Sequence, residues 1–220
     1  MSGFIIKPEG LSSEFLRTGE GATDWARIED GLRRENILQS SETMTAFEDV
    51  EPWHRGGAET FIADAMVGVS PGSSGRRVIA KALVSFATDL DTKLRVWLRR
   101  RSLLSGIGIP VPFLFNGRNA TVFEEFIDEP FRLTDSDSDI LDQVGKIGAQ
   151  LDFNGFTTLS FLSDLRVKDQ LVYYVDFGTD LGEPSGARTE SARLTLVKSI
   201  PASQIDSCLR AYDGTLIDLG

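Results

Sequence analysis

Apolar residues recur along this chain with two different periods, and the changes of period divide it into elements. Residues 1–22 keep no period, because Gly10, Gly19 and Gly21 interrupt any run, and an extended arm is expected there. Thr23 then stands as a possible N-cap, and Trp25, Ile28 and Leu32 follow at helical spacing. This predicts a helix packed on the outside of a domain, with a partner-binding helix as the alternative. From Met44 to Phe86 the period becomes two. Strands are expected over 59–69 and 76–84, joined by a loop over 70–75 rich in Ser, Pro and Gly. Residues 89–105 return to helical spacing. Leu90, Leu94, Trp97, Leu98 and Leu104 make an apolar stripe, and Arg99, Arg100 and Arg101 fall largely on the other side, where a solvated face is expected. Gly106-Ile107-Gly108 ends this helix.

A strand over 109–115 follows, then Asn116-Gly117 as a hairpin turn, then a partner strand over 121–127 that Asp128-Glu129-Pro130 breaks. After a polar loop over 134–138, residues 139–152 read as a helix with Ile140, Leu141, Val144, Ile147 and Leu151 on one face. Gly155-Phe156 stops it. A second hairpin runs over 161–167 and 171–177, with its turn at Lys168-Asp169-Gln170. Beyond Gly178 only 42 residues remain, and one helix is expected in them, over 202–212, with Pro201 at its start.

Composition narrows the function. The 220 residues suit one large domain or two small lobes, and a 41% hydrophobic share supports a real core. A formal net charge of -10, from 23 basic and 33 acidic residues, argues against nucleic-acid or anionic-membrane partners. No apolar run approaches the roughly 20 residues of a membrane span. The single cysteine, Cys208, allows neither an intrachain disulfide nor a cysteine zinc site, so a cytoplasmic setting is expected. The single histidine, His54, excludes a histidine-rich metal centre.

Two positions carry candidate chemistry. Val172-Tyr173-Tyr174-Val175-Asp176-Phe177-Gly178 is an apolar strand that delivers one carboxylate to its end, and Gly178 allows an abrupt turn. Lys81 sits within the apolar run Val78-Ile79-Ala80-Lys81-Ala82-Leu83. A lysine there must reach solvent by snorkelling or reach an anion such as a phosphate. Gly56-Gly57, ahead of the first hairpin, is a plain turn or a glycine turn over phosphates.

The order of these pieces resembles the protein-kinase-like fold: a hairpin bearing Lys81, a helix, Gly108-Ile109-Pro110-Val111-Pro112, a strand ending Glu124-Glu125-Phe126, a helix, and a hairpin ending Asp176-Phe177-Gly178. It is most similar to aminoglycoside phosphotransferases, lipopolysaccharide-core kinases and the small Kae1-associated kinases, over roughly residues 45–183. The resemblance implies an α+β, two-lobed fold, with an antiparallel N-lobe sheet carrying one main helix and a short, mainly helical C-lobe. It implies an N-terminal arm and helix over 1–43, an N-lobe over 44–128 and a reduced C-lobe over 129–220. It also implies ATP and Mg²⁺ as cofactors. Lys81 and the turn at Gly56 and Gly57 would meet the phosphates, the backbone near Glu124 and Phe126 would meet adenine, and Asp176 would hold the metal.

The chain departs from the family in two ways. Active members carry His-x-Asp with an Asn about five residues after the Asp, but residues 156–163 hold neither histidine nor carboxylate. The family also pairs its strand lysine with a helix Glu, and no Glu occurs between Glu59 and Glu124. Asp164 stands twelve residues before Asp176, where the family places the Asn that holds a second metal. A turn centred on Asp169 would bring residues near 162–164 opposite Asp176. Asp164 therefore reads as a metal ligand replacing that Asn, as a catalytic-loop Asp with Asp169 as ligand, or as a solvent-facing hairpin residue. The resulting expectation is an atypical ATP-dependent phosphotransferase with a small-molecule or protein hydroxyl acceptor, with Asp164 and Asp176 as catalytic residues. The alternative is a pseudokinase that binds nucleotide or a protein partner.

Overall fold

The computed structural model describes residues 25–34, 36, 38, 40, 43–50, 58–66, 76–83, 90–118, 121–127, 129–133, 137–178 and 181–220. The expected arm over 1–22, the cap Thr23 and the loop over 70–75 lie outside them. Two compact units form, one from Met1–Leu98 and Phe113–Phe126, the other from Arg99–Pro112 and Ile127–Gly220.

The first unit contains helix α1 (Trp25–Arg34) and five strands: β1 (Thr43–Val50), β2 (Ala58–Met66), β3 (Arg76–Leu83), β4 (Leu114–Arg118) and β5 (Thr121–Glu125). Two ion pairs one helical turn apart, Arg33 to Glu29 at 2.6 Å and Arg34 to Asp30 at 2.9 Å, brace α1. The strands form one antiparallel sheet in the order β1-β2-β3-β5-β4. Between β3 and β4 the chain forms helix α2 (Leu90–Gly106), whose Leu94 and Trp97 are buried. The expected strand over 109–115 begins only at Leu114, because Pro110 and Pro112 bring no N–H to a ladder. Asn116 and Gly117 lie within β4 rather than at its turn: they pair with Phe123 and Val122, and a register shift falls between Leu114 and Asn116. The pairing of Arg118 with Thr121 moves the hairpin's tip past the Asn-Gly signal.

The second unit is built around helix α3 (Ser138–Phe153). Asp137 caps it by accepting from the Ile140 N–H at 2.9 Å. Its expected apolar face is buried, with Ile140, Leu141, Val144, Ile147 and Leu151 each 5% exposed or less. Gly155, at φ 78°, ends the run in a conformation that β-carbon-bearing residues rarely adopt. A three-stranded antiparallel sheet follows the order β6 (Glu129–Pro130), β7 (Leu165–Lys168), β8 (Leu171–Tyr174). Glu129-Pro130, expected only to break a strand, instead pairs with Val167 and Arg166 as a short edge, where a proline is tolerated. Residues 161–164, expected as strand, form a turn that leads into β7.

The 42 residues after Gly178 hold two helices rather than one: α4 (Ser191–Ser199) and α5 (Ala202–Leu219). α5 packs along α3 so closely that a side chain at Gly145 would run into the Cys208 carbonyl. Asp152, at the end of α3, is 1% exposed and ties the three helices together. It accepts hydrogen bonds from the Thr189 hydroxyl at 2.7 Å and the Tyr212 hydroxyl at 2.8 Å. It also accepts from the N–H groups of Ala192 at 3.1 Å and Arg193 at 3.0 Å. α4 has no capping bond from its own N-cap residue, Glu190, so Asp152 caps it from 40 residues away.

Cys208 lies fully buried on α5. Burial first, and the Asp142 carboxylate second, push its thiol up from 9.0 to about 12. An unfolded chain releases this proton near its ordinary pKa and the folded chain does not. The stability this group contributes is therefore present below pH 9.0 and lost as pH rises toward about 12. The buried, protonated thiol is expected to resist alkylation in native protein at pH 8 and to react at once in urea. Mass spectrometry after brief iodoacetamide exposure checks this.

Candidate functional site

The β7–β8 hairpin sets the geometry of the candidate site. Asp169 (φ 51°) and Gln170 (φ 62°) both take the left-handed conformation, as a two-residue type I′ turn requires. Gln143 on α3 straps this turn: its amide donates to the Gln170 carbonyl at 2.9 Å and accepts from the Val172 N–H at 3.0 Å. The strands pair Leu165 with Tyr174, Arg166 with Tyr173, and Lys168 with Leu171. Beyond the last pair, the Val175 N–H donates to the Asp164 carbonyl at 2.9 Å. Asp164 therefore lies across from Val175, one residue short of the register expected from a turn centred on Asp169.

Asp164 is 2% exposed, which corrects the solvent-facing reading. Its Oδ2 accepts from the Tyr174 hydroxyl at 3.1 Å, and that hydroxyl lies 3.4 Å from Thr158 Oγ1. Burial, and then the Asp164 charge, raise the Tyr174 pKa well above its ordinary value, so the phenol stays a donor. Asp176 follows the end of β8. Its Oδ1 accepts from the Gly178 N–H at 2.7 Å, which folds the Asp-Phe-Gly turn back on itself. Phe177 is fully buried, its ring centroid 6.1 Å from that of Tyr174.

Two arginines that the sequence reading gave no role complete the site. Arg100, on α2, donates to the carbonyls of Phe177, at 3.5 Å, and of Gly178, and its Nε reaches Glu183 at 3.2 Å. Arg101 donates to the Pro112 carbonyl. The solvated face expected for the arginine run thus holds for Arg99, which is exposed, and fails for its two neighbours, which satisfy backbone carbonyls. Helical periodicity places a residue on a face but says nothing of a loop that folds over that face. Arg166, on β7, donates from Nη1 to the carbonyls of Ser163 and Leu165, both at 2.8 Å. Burial lowers its pKa, and the charges of Asp164 and Asp176 both act against that shift.

Arg100→Ala is expected to cost about 1–3 kcal/mol through the two carbonyls left without this donor. Arg100→Lys should recover only part, since a point-like ammonium lacks the fork that serves two carbonyls and Glu183 together. Urea unfolding midpoints compare the three proteins.

The remaining predicted residues fall in the first unit or outside the described residues. Gly56 and Gly57 lie outside them. Lys81 occupies β3 opposite Thr60 on one side and Val122 on the other. Glu124, fully buried, lies opposite Ile79, so the Lys81 and Glu124 positions share one face of the sheet on a diagonal. Phe126, half-buried, follows β5. Asp164 and Asp176 both belong to the second unit, at the open end of one hairpin.

Magnesium beside nucleotide phosphates needs only one or two carboxylates, the phosphates and water supplying the rest. Among the described residues no cluster of three or more His, Cys, Asp or Glu side chains forms a metal cage. Asp176 fits the single-carboxylate role, with Oδ1 fixed by Gly178 and Oδ2 bonded to none of the described residues. Asp164 fits less well, with Oδ2 already taken by Tyr174.

A five-stranded antiparallel sheet, a helix between its third strand in sequence and the next, and an Asp-Phe-Gly turn closing a later hairpin define an α+β protein of the kinase-like fold. Among solved structures the chain is similar to the crystal structure of a "putative fructosamine-3-kinase" from Thermobifida fusca YX-ER1. The identity is 14%, the TM-score 0.50, and 82% of each chain is covered. At that identity the likeness is one of fold. No protein-family model matches the chain, and no curated protein matches it. Among the described residues no helix is long and apolar enough to cross a membrane.

Proposed function

We propose that this chain is an atypical phosphotransferase that moves the γ-phosphate of ATP to a hydroxyl acceptor. The observation that carries this reading is Asp176, presented at the end of a kinase-like hairpin in an Asp-Phe-Gly turn held by the Gly178 N–H and by Arg100. Magnesium held by Asp176 would neutralise phosphate charge during transfer. Lys81 takes the α- and β-phosphates, the turn at Gly56 and Gly57 covers them, and the backbone from Glu124 through Phe126 receives adenine. Asp164, bonded to Tyr174, stands as the second carboxylate of the site. Phosphoryl transfer depends mainly on positioning and charge neutralisation, so a loop without a general base costs about 10²–10⁴-fold in rate rather than all activity. The name of the structural neighbour suits a small-molecule hydroxyl acceptor.

A catalytically impaired, nucleotide-binding module is the second reading, and one observation favours it. The segment over 156–163 carries no carboxylate, and Leu159 stands there 83% exposed. Incubation with γ-labelled ATP, magnesium and a panel of sugar, amine-sugar and protein acceptors separates the two. Transfer, including transfer to the chain itself, that vanishes in Asp176→Ala supports the enzyme. Nucleotide binding without any transfer supports the module.

A further inference from the structure

We infer that the Arg166 guanidinium serves as a built-in cation for the Asp164 and Asp176 pair, so that the site takes a divalent metal at Asp176 and none at Asp164. The inference rests on the reading of these carboxylates as the acid pair of the nucleotide site.

Asp164 is 2% exposed, and a carboxylate at that depth needs both donors and a compensating charge. The donor is Tyr174, through Oδ2. The local charge comes from Arg166, only two residues along the chain. Nη1 of Arg166 donates to the carbonyls of Ser163 and Leu165, the residues on either side of Asp164, which holds the guanidinium against that stretch of backbone. The strand frame holds it there as well, since Arg166 pairs with Pro130 on one side and Tyr173 on the other. Both Asp164 and Asp176 act on its charge. Arginine keeps its proton in such surroundings where a lysine would lose it, and its planar fork can still serve a phosphate oxygen.

A metal bound at Asp164 would therefore face a fixed positive group and would have to displace a phenol from Oδ2. The hard divalent cation is better served at Asp176, which is half-buried and has Oδ2 facing no hydrogen-bond donor among the described residues.

Manganese uptake by the full chain, followed by electron paramagnetic resonance without nucleotide, tests this. The proteins are wild type, Arg166→Gln, Asp164→Asn and the double variant. Wild type and Asp164→Asn should bind Mn²⁺ equally, since Asp164 holds none. Arg166→Gln should bind Mn²⁺ at least about tenfold more tightly, and the double variant should lose that gain. A wild-type Mn²⁺ site that Asp164→Asn removes would overturn the inference, and so would a folded Arg166→Gln with wild-type Mn²⁺ affinity. The comparison of wild type with Asp164→Asn decides the matter even where Arg166→Gln does not fold. None of these arms uses ATP, so a failure of the chain to bind nucleotide would count against the proposed function and leave this test intact.

Discussion

Asp152→Ala is expected to lower the unfolding free energy by about 3–5 kcal/mol, the largest loss from any single truncation outside the apolar core. The carboxylate is 1% exposed and accepts from two hydroxyls and two backbone N–H groups. Alanine would strand all four donors at once, where no water replaces the acceptor. The N–H groups of Ala192 and Arg193 belong to the first turn of α4, so that helix loses its cap as well as a tertiary anchor. Asp152→Asn should cost less, because the amide oxygen still accepts, but the amide nitrogen meets donors on its side. Thermal unfolding should show a drop of about 10 °C for the alanine variant. A change below about 1 kcal/mol would mean that α4 is held by Ala192 and Leu196 packing alone.

Asp176→Ala is expected to reduce the affinity for ATP with magnesium by at least about 100-fold while leaving the fold intact. The side chain is half-buried, and its one internal bond, to the Gly178 N–H, spans a single turn. Truncation therefore removes a metal ligand at small structural cost. Asp176→Asn keeps the turn bond and loses the charge. It should match the alanine variant in nucleotide affinity and wild type in thermal stability. Isothermal titration on the three proteins, with melting curves alongside, separates the two contributions.

The elements that could be read from the sequence were those whose signals are local. The stripe Ile140, Leu141, Val144, Ile147 and Leu151 fixed α3, and alternation around Lys81 and around Tyr174 fixed β3 and β8. Helix α4 escaped because its capping group is not in its own sequence: Glu190 makes no side-chain cap bond, and Asp152 supplies the cap from another helix. The Asn-Gly pair misled because a register shift in β4 carries the strand past it. In the candidate site, Asp164 and Asp176 could be proposed from spacing along the chain. Arg100 could not, because its partners, the carbonyls of Phe177 and Gly178, lie 77 and 78 residues away. Arg166 sits two residues after Asp164, and only its backbone bonds and its burial separate it from an ordinary strand arginine.

The most direct test of the central claim is a calorimetric titration of the wild-type chain with ATP, once with magnesium and once with EDTA. The account predicts saturable binding at one nucleotide per chain with magnesium, weakened by chelation and lost in Asp176→Ala. Absence of any heat or melting shift with ATP and magnesium, in a chain shown to be folded, would contradict the nucleotide site and leave a kinase-like fold put to another use.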